Sequence, residues 1–128
     1  LEELHHGASH DGRCHMRVRL EWIGTVHEAT VEGLETHQGR LRAVAEAAVQ
    51  AVSSASDRLL HLDLAGVKSV RAFDGFVVIV RVNASTPERP GQRLLGAASA
   101  ENEADALDAT ARAVLDAVNR VVEQHMAE

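Results

Sequence analysis

Residues 45–52 read AEAAVQAV, and residues 111–118 read ARAVLDAV. Each stretch lies in a longer segment whose apolar residues recur every three or four positions, which is the spacing of one face of an α-helix. This periodicity predicts helices over 39–54 and 103–123. Because each predicted helix follows a strand-like segment that contains a glycine, the two stretches indicate an internal repeat.

Strand-like segments precede both predicted helices. Apolar and polar residues alternate over 15–34, and this period of two predicts a β-hairpin. Residues 58–84 predict two further strands joined at Asp74-Gly75, since glycine is favoured in tight hairpin turns. The run Val77–Val80 is apolar on both faces of its strand, which places that strand in the middle of a sheet. A short strand over 92–98 follows it.

These elements predict a single α+β domain over 15–125. In it an antiparallel sheet carries two helices on one face, as a two-layer α/β sandwich. The repeat units of strand–strand–helix cover about 15–54 and 59–123, with one extra strand at 59–70 between the two copies. Residues 1–14 are polar, rich in histidine and without useful periodicity, so they are predicted to form a loosely held tail.

Charge and composition exclude several classes of function. The 128-residue chain has a formal net charge of −6, whereas a nucleic-acid-binding domain needs a basic excess to neutralise phosphates. No apolar run approaches the roughly 20 residues that span a bilayer, so no membrane partner is expected. Cys14 is the single cysteine, which favours a reducing, cytoplasmic location. No phosphate-cradling glycine motif occurs, and no cofactor is expected.

The strand end GAAS at 96–99 is followed by an acidic segment and by a helix that finishes with AVNRV at 117–121. In these features the region 59–122 resembles the C-terminal regulatory domain of 2-isopropylmalate synthases, which is built from two similar strand–strand–strand–helix units. Where that family has a Gly-Asp-Gly-Pro-like turn, residues 35–39 read ETHQG, so leucine is not carried over as an effector. The resemblance implies a fold and a dimeric, ligand-sensing role. It implies no synthase activity, because this sequence holds no counterpart of the family's catalytic barrel.

The two strand–helix junctions are the predicted ligand-binding positions. Thr36 and Ser99 are also candidate N-caps, because a hydroxyl accepts a hydrogen bond from a first-turn amide. The leading hypothesis is a non-catalytic regulatory or assembly domain, which forms a homodimer and binds a small-molecule effector between its repeats or its subunits. The predicted ligand contacts are Gly33, Thr36, Gly96 and Ser99.

Three alternatives place the function elsewhere. His nitrogen and Cys sulfur suit zinc, so one alternative is a metal site near Cys14. Its candidate histidine ligands are His5, His6, His10 and His15. A second alternative is a small enzyme in which His61 is a general base and Asp63 orients it. No glycine elbow with a serine nucleophile accompanies that pair, so no catalytic residue is assigned. The third is a scaffold that binds a protein partner along an exposed strand edge.

Overall fold

The computed structural model describes residues 3–8, 11–22, 24–56 and 60–126, with side chains over 4–7, 11–22, 24–56 and 60–119. These residues form three strands and a helix, and then the same series again. The first half consists of β1 (Glu3–Ala8), β2 (Arg13–Trp22), β3 (Thr25–Leu34) and α1 (His37–Ala55). The second half consists of β4 (His61–Ala72), β5 (Gly75–Ser85), β6 (Gln92–Ala100) and α2 (Glu103–Met126). The predicted α+β class is confirmed.

The strands divide into two three-stranded antiparallel sheets rather than forming one sheet. The first sheet has the order β1-β2-β3, and the second sheet has the order β4-β5-β6. Helix α1 packs on the first sheet and α2 on the second, while α1 also contacts α2 and β4. Helix α1 therefore has neighbours from both halves. Neither helix within the described ranges has the length and apolar character needed to cross a bilayer.

Two strands differ from the sequence predictions. Residues 3–8, predicted to belong to a loosely held tail, form β1 at the edge of the first sheet. In β1 the histidine His6 occupies a position that faces the helix layer, where an apolar residue is usual. The alternation of apolar and polar residues that predicts a strand is therefore incomplete there. β1 forms because β2 supplies its hydrogen-bonding partners, which no local pattern records. The strand predicted at 59–70 between the two copies is β4, and it is the first strand of the second half.

Alternating residues of the two middle strands form a large part of the core. From Cys14 to Leu20 in β2 and from Val78 to Ala84 in β5, every second side chain is at most 7% exposed, and these rows face the helices because successive strand residues point to opposite faces. The rows are Cys14, Met16, Val18 and Leu20 in β2, and Val78, Val80, Val82 and Ala84 in β5. The helices cover them mainly with buried alanine and valine. Helix and sheet therefore lie close together.

Two glycines permit this close approach. A Cβ atom added at Gly96 would lie 2.0 Å from the carbonyl oxygen of Ala113 and 2.6 Å from the amide of Ala117, so helix α2 occupies the space of any side chain there. A Cβ atom at Gly33 would lie 3.0 Å from the Cβ of Ala43 and from the Gly39 carbonyl oxygen. The glycine that precedes each helix is thus required for that helix to pack this closely on its sheet.

The hairpin predicted at Asp74-Gly75 is present, but its turn lies one residue earlier. Ala72 pairs with Gly75, and the two residues between them, Phe73 and Asp74, have φ values of 54° and 60°. Positive φ at both central positions is the type I′ geometry, which matches the twist of the flanking strands. Gly75 is the first residue of β5, where a Cβ atom would lie 2.7 Å from the Ala100 carbonyl oxygen.

The two helix starts are capped in the same way. Thr36 is confirmed as the N-cap of α1, since its Oγ1 accepts a hydrogen bond from the Gly39 amide at 2.9 Å. The prediction of Ser99 as the second N-cap is wrong, because Ser99 lies within β6. Asn102 performs that role, and its Oδ1 accepts from the Asp105 amide at 2.9 Å. Each cap is the second residue after its strand and the residue before its helix.

Candidate functional site

The connection between β3 and α1, which we call the first junction, lies beside the inner face of β1 and β2. Gly33 pairs with Cys14 across the sheet, and Ala8 pairs with Cys14 on the other side. Because side chains alternate along a strand, His6 and Cys14 both point towards the helix layer. Glu35 follows β3, and its amide donates a hydrogen bond to the Gly12 carbonyl oxygen at 2.9 Å. Three side chains therefore converge at this junction.

The converging side chains are those of His6, Cys14 and Glu35. The nitrogen, sulfur and oxygen atoms that they offer lie within 4.8 Å of one another. Nε2 of His6 lies 3.2 Å from Oε1 and 3.4 Å from Oε2 of Glu35. Nη1 of Arg40, in the first turn of α1, donates to Oε1 of Glu35 at 3.0 Å. Glu35 is thus held from both sides by basic side chains.

The electrostatics of the first junction follow from these contacts. The hydrogen bond from Arg40 lowers the pKa of the Glu35 carboxyl, and His6 adds to this effect. Burial raises the pKa of the Cys14 thiol, and the neighbouring charge of Glu35 raises it further. The thiol is fully buried and donates to the Leu34 carbonyl oxygen, 3.6 Å away. A protonated, buried thiol is a poor nucleophile, so this cluster does not resemble a cysteine-based catalytic site.

The predicted histidine ligands separate when the strands pair. His5 and His15 lie on the outer face of the first sheet, where they border a shallow depression that is also lined by His6, Gly7, Arg17 and Thr30. His10 lies outside the described residues. His6 alone among the described histidine candidates reaches Cys14. The sequence prediction missed Glu35, because only the register of three strands shows that it faces a residue 29 positions earlier.

The connection between β6 and α2, the second junction, has a different character. Ser99 lines a wide depression of about 1000 Å³ between the β4–β5 hairpin and the first turns of α2. Its lining is mainly acidic, because four carboxylates and one guanidinium border it: Asp74, Glu101, Asp105, Asp108 and Arg112. Nε of Arg112 lies 3.0 Å from Oδ2 of Asp108. Phe73, at the tip of the β4–β5 hairpin, lies at the edge of this depression and is 96% exposed.

The four predicted ligand contacts therefore have different surroundings. Gly33 and Thr36 belong to the first junction, with Gly33 packed against α1 and Thr36 engaged in its cap. Ser99 lines the depression at the second junction. Gly96 lies under α2 and away from that depression, in space that the helix backbone fills.

His61 and Asp63 are exposed on the outer side of β4, where they pair with Ser85 and Asn83. No hydrogen bond joins the histidine to the aspartate in the part of the chain that the structure describes. The fully buried Cys14 belongs to the other sheet. Neither His61 nor Asp63 lines the depression at the second junction or the one beside His5 and His15, and the small-enzyme alternative stays a prediction.

The outer faces of the two sheets differ in polarity. On the first sheet the outer side chains include cross-strand ion pairs, with Arg13 3.6 Å from Glu32 and Arg19 3.4 Å from Glu28. Two exposed apolar residues, Val26 and Leu34, lie on the same face near the two ends of β3. On the second sheet the outer face is largely apolar over its half nearest the β4–β5 hairpin. We call this group the apolar outer patch, and its members are Val70, Val77, Ile79, Leu95 and Ala97.

Register and burial define the apolar outer patch. Val78 and Val80 are fully buried beneath α2, so Val77 and Ile79 point to the opposite, outer face. Val77 pairs with Val70 on β4, and Ile79 pairs with Ala97 on β6. The side chain of Leu95 is 64% exposed, and that of Val70 is 37% exposed. The prediction that this strand is apolar on both faces and central in its sheet is confirmed.

Comparison with known proteins adds no family to this description. No model of a known protein family matches the chain, and a search of curated proteins finds no match. The fold and the sites define a small α+β sandwich with two unlike strand–helix junctions and one apolar sheet face.

Proposed function

We propose that this chain is a non-catalytic assembly domain, which pairs with a second copy of itself through the apolar outer patch. The single observation that carries the proposal is the contrast between the outer faces of the two sheets. One face carries cross-strand ion pairs with Val26 and Leu34 exposed towards its ends, and the other exposes Val70 and Leu95 beside the half-buried Val77 and Ile79 as one contiguous group. Contiguous apolar surface of this kind is typical of interaction sites, because its burial is favourable.

The apolar outer patch fits a second copy of this chain better than it fits a partner whose charges all have one sign. Sheets pack face to face about 10 Å apart, so two identical faces can interdigitate their side chains. In a two-fold dimer the same patch serves both subunits, so its rim must be compatible with itself. Lys68, Arg81 and Asp63 lie around this patch on the outer face of the second sheet, which supplies both signs of charge. A rim of one sign would repel its copy.

A small-molecule effector has a natural place beside this interface. Val77 belongs to the apolar outer patch and also lines the depression at the second junction, as does its neighbour across the sheet, Ser99. The depression therefore opens at the edge of the proposed dimer interface. The carboxylates of this mainly acidic lining supply partners for the cationic end of a zwitterionic metabolite, and Arg112, which also pairs with Asp108, supplies one for its anionic end. We place the assembly in the cytoplasm, since a lone cysteine suits a reducing compartment.

Sedimentation velocity tests the proposal. The wild-type chain is expected to sediment at twice its mass of 13.8 kDa. Leu95→Glu puts a charge into the apolar outer patch and is expected to give monomers. Val26→Glu is the matched control, because Val26 is also an exposed apolar strand residue, at 46%, but lies on the first sheet. It is expected to remain dimeric, and circular dichroism checks that both variants are folded.

The same experiment tests the effector. A zwitterionic amino acid that binds at the edge of the interface is expected to raise the dimer fraction of the wild-type chain at low protein concentration. A wild-type chain that is monomeric at every concentration would overturn the proposal. Loss of the dimer in Val26→Glu and its persistence in Leu95→Glu would move the interface to the first sheet and would overturn it equally.

A further inference from the structure

We propose that the first junction binds one divalent cation of zinc chemistry through Cys14, His6 and Glu35. The site is separate from the apolar outer patch, so it does not depend on the proposed dimer. Its three ligands are the sulfur of a β2 residue, the Nε2 of a β1 residue and the carboxylate that follows β3. Sulfur, imidazole and carboxylate together are ligands of zinc and its neighbours, and not of magnesium or calcium.

The spacing of these atoms is close to what such a cation requires. Zinc binds nitrogen and oxygen ligands at about 2.0 Å in a tetrahedron, whose edges are then about 3.3 Å long. Nε2 of His6 and Oε1 of Glu35 are 3.2 Å apart, which is nearly that edge. The sulfur atom of Cys14 lies within 4.8 Å of both, so the partly exposed side chains of His6 and Glu35 have to move closer to the sulfur when the cation binds.

The charges at the junction balance such a cation. Binding releases the thiol proton of Cys14 to solvent, and the resulting thiolate and the Glu35 carboxylate together carry two negative charges. These offset the two positive charges of the cation in a partly buried site, where unpaired charge is costly. The remaining positive charge is that of Arg40, whose side chain is 26% exposed and so is partly solvated. Arg40 donates to Oε1 of Glu35, so the carboxylate is held in place with both of its oxygens within 3.4 Å of Nε2 of His6. Outer partners of this kind orient the ligands of metal sites.

The three ligands also differ in their exposure to solvent, and they come from different elements of the fold. These two features indicate a structural role for the cation. Cys14 is fully buried, whereas the side chain of His6 is 36% exposed, so the cluster is open to water on the His6 side. The cation joins the edge strand β1 to the start of α1, because His6 lies in the former and Glu35 immediately precedes the latter. A bound cation therefore stabilises the attachment of β1, the strand that local sequence specifies least.

Titration of the purified, untagged chain with Zn²⁺ and Co²⁺ tests this site. One equivalent of Co²⁺ is expected to bind with a thiolate-to-cobalt charge-transfer band, and Zn²⁺ is expected to remove the band and raise the melting temperature. His6→Gln is expected to weaken binding by about tenfold or more while the chain stays folded, since His6 is partly exposed. Cys14→Ser is expected to abolish the charge-transfer band.

The matched control is His15→Gln, a histidine next to Cys14 in sequence but on the outer face of the same strand. This variant is expected to bind Co²⁺ as the wild type does. Absence of the charge-transfer band in the wild-type chain would overturn the proposal. Equal weakening in His15→Gln and His6→Gln would also overturn it, because the outer histidines would then be the ligands. His6→Gln is expected to sediment as a dimer. Loss of metal binding in this variant is therefore distinguishable from a failure of the assembly proposal.

Discussion

At the end of β3 the chain brings a histidine, a cysteine and a glutamate within 4.8 Å of one another, whereas at the end of β6 it leaves an open depression of about 1000 Å³. The elements around the two junctions are alike, with a side-chain N-cap two residues after each strand. The outer sheet faces also differ, since the first carries cross-strand ion pairs and the second carries the apolar outer patch. The comparison teaches that one series of elements can carry two chemistries, because the residues placed on it decide what it does.

The largest expected effect concerns the glycines under the two helices. Gly96→Ala puts a Cβ atom 2.0 Å from a helix carbonyl oxygen, whereas Gly33→Ala puts one 3.0 Å from its nearest neighbours. We expect Gly96→Ala to lower the free energy of unfolding by at least about 3 kcal/mol, and Gly33→Ala by about 1 kcal/mol. Urea unfolding measures both. Equal losses would show that α1 and α2 approach their sheets equally closely.

An intermediate and symmetric effect is expected at the caps. Thr36→Ala and Asn102→Ala each remove one side-chain acceptor from a first-turn amide at 2.9 Å. Each substitution is expected to cost about 1 kcal/mol in the free energy of unfolding. Thr36→Ser and Asn102→Asp retain the acceptor and are the controls. If Ser99→Ala cost more than Asn102→Ala, the assignment of the second cap would be wrong.

The smallest expected effect concerns one exposed ion pair on each helix. In α2, Asp108 precedes Arg112 by four residues, at 3.0 Å, whereas in α1 Arg42 precedes Glu46, at 3.4 Å. The order acid-then-base agrees with the helix dipole, and the reverse order opposes it. Double-mutant cycles are expected to give a coupling energy of about 0.5 kcal/mol in α2 and less in α1. A larger coupling in α1 would contradict this ranking.

Periodicity predicted most of the helices and strands, because burial on one face imposes a regular spacing on the sequence. The helix predicted over 39–54 runs from His37 to Ala55, and the one predicted over 103–123 runs from Glu103 to Met126. β1 was missed because an edge strand depends on pairing with a distant segment. The second cap was missed because a hydroxyl at position 99 and an amide at Asn102 are both good caps, and only the end of β6 decides between them.

The candidate sites were less predictable than the fold. Thr36 was identified as a cap, since the signal is local. Glu35 could not be connected with His6, because their contact depends on the register of three strands. The run Val77–Val80 indicated the apolar outer patch, because a strand that is apolar on both faces needs a packing partner on each side. Leu95, however, joins it only through its pairing with Arg81 on β5.

The alanine-rich helices have a consequence for how this protein can change. Where a helix and a sheet contact each other through methyl groups, rather than through aromatic rings, no free space remains into which a larger side chain can turn. Ala113 and Ala117 rest directly on Gly96, so enlarging any one of the three is compatible with the fold only if another element moves away. Substitutions that accumulate in this region over time should therefore come in compensating pairs, one residue growing where its neighbour shrinks. Exposed positions such as Val26 are under no such constraint.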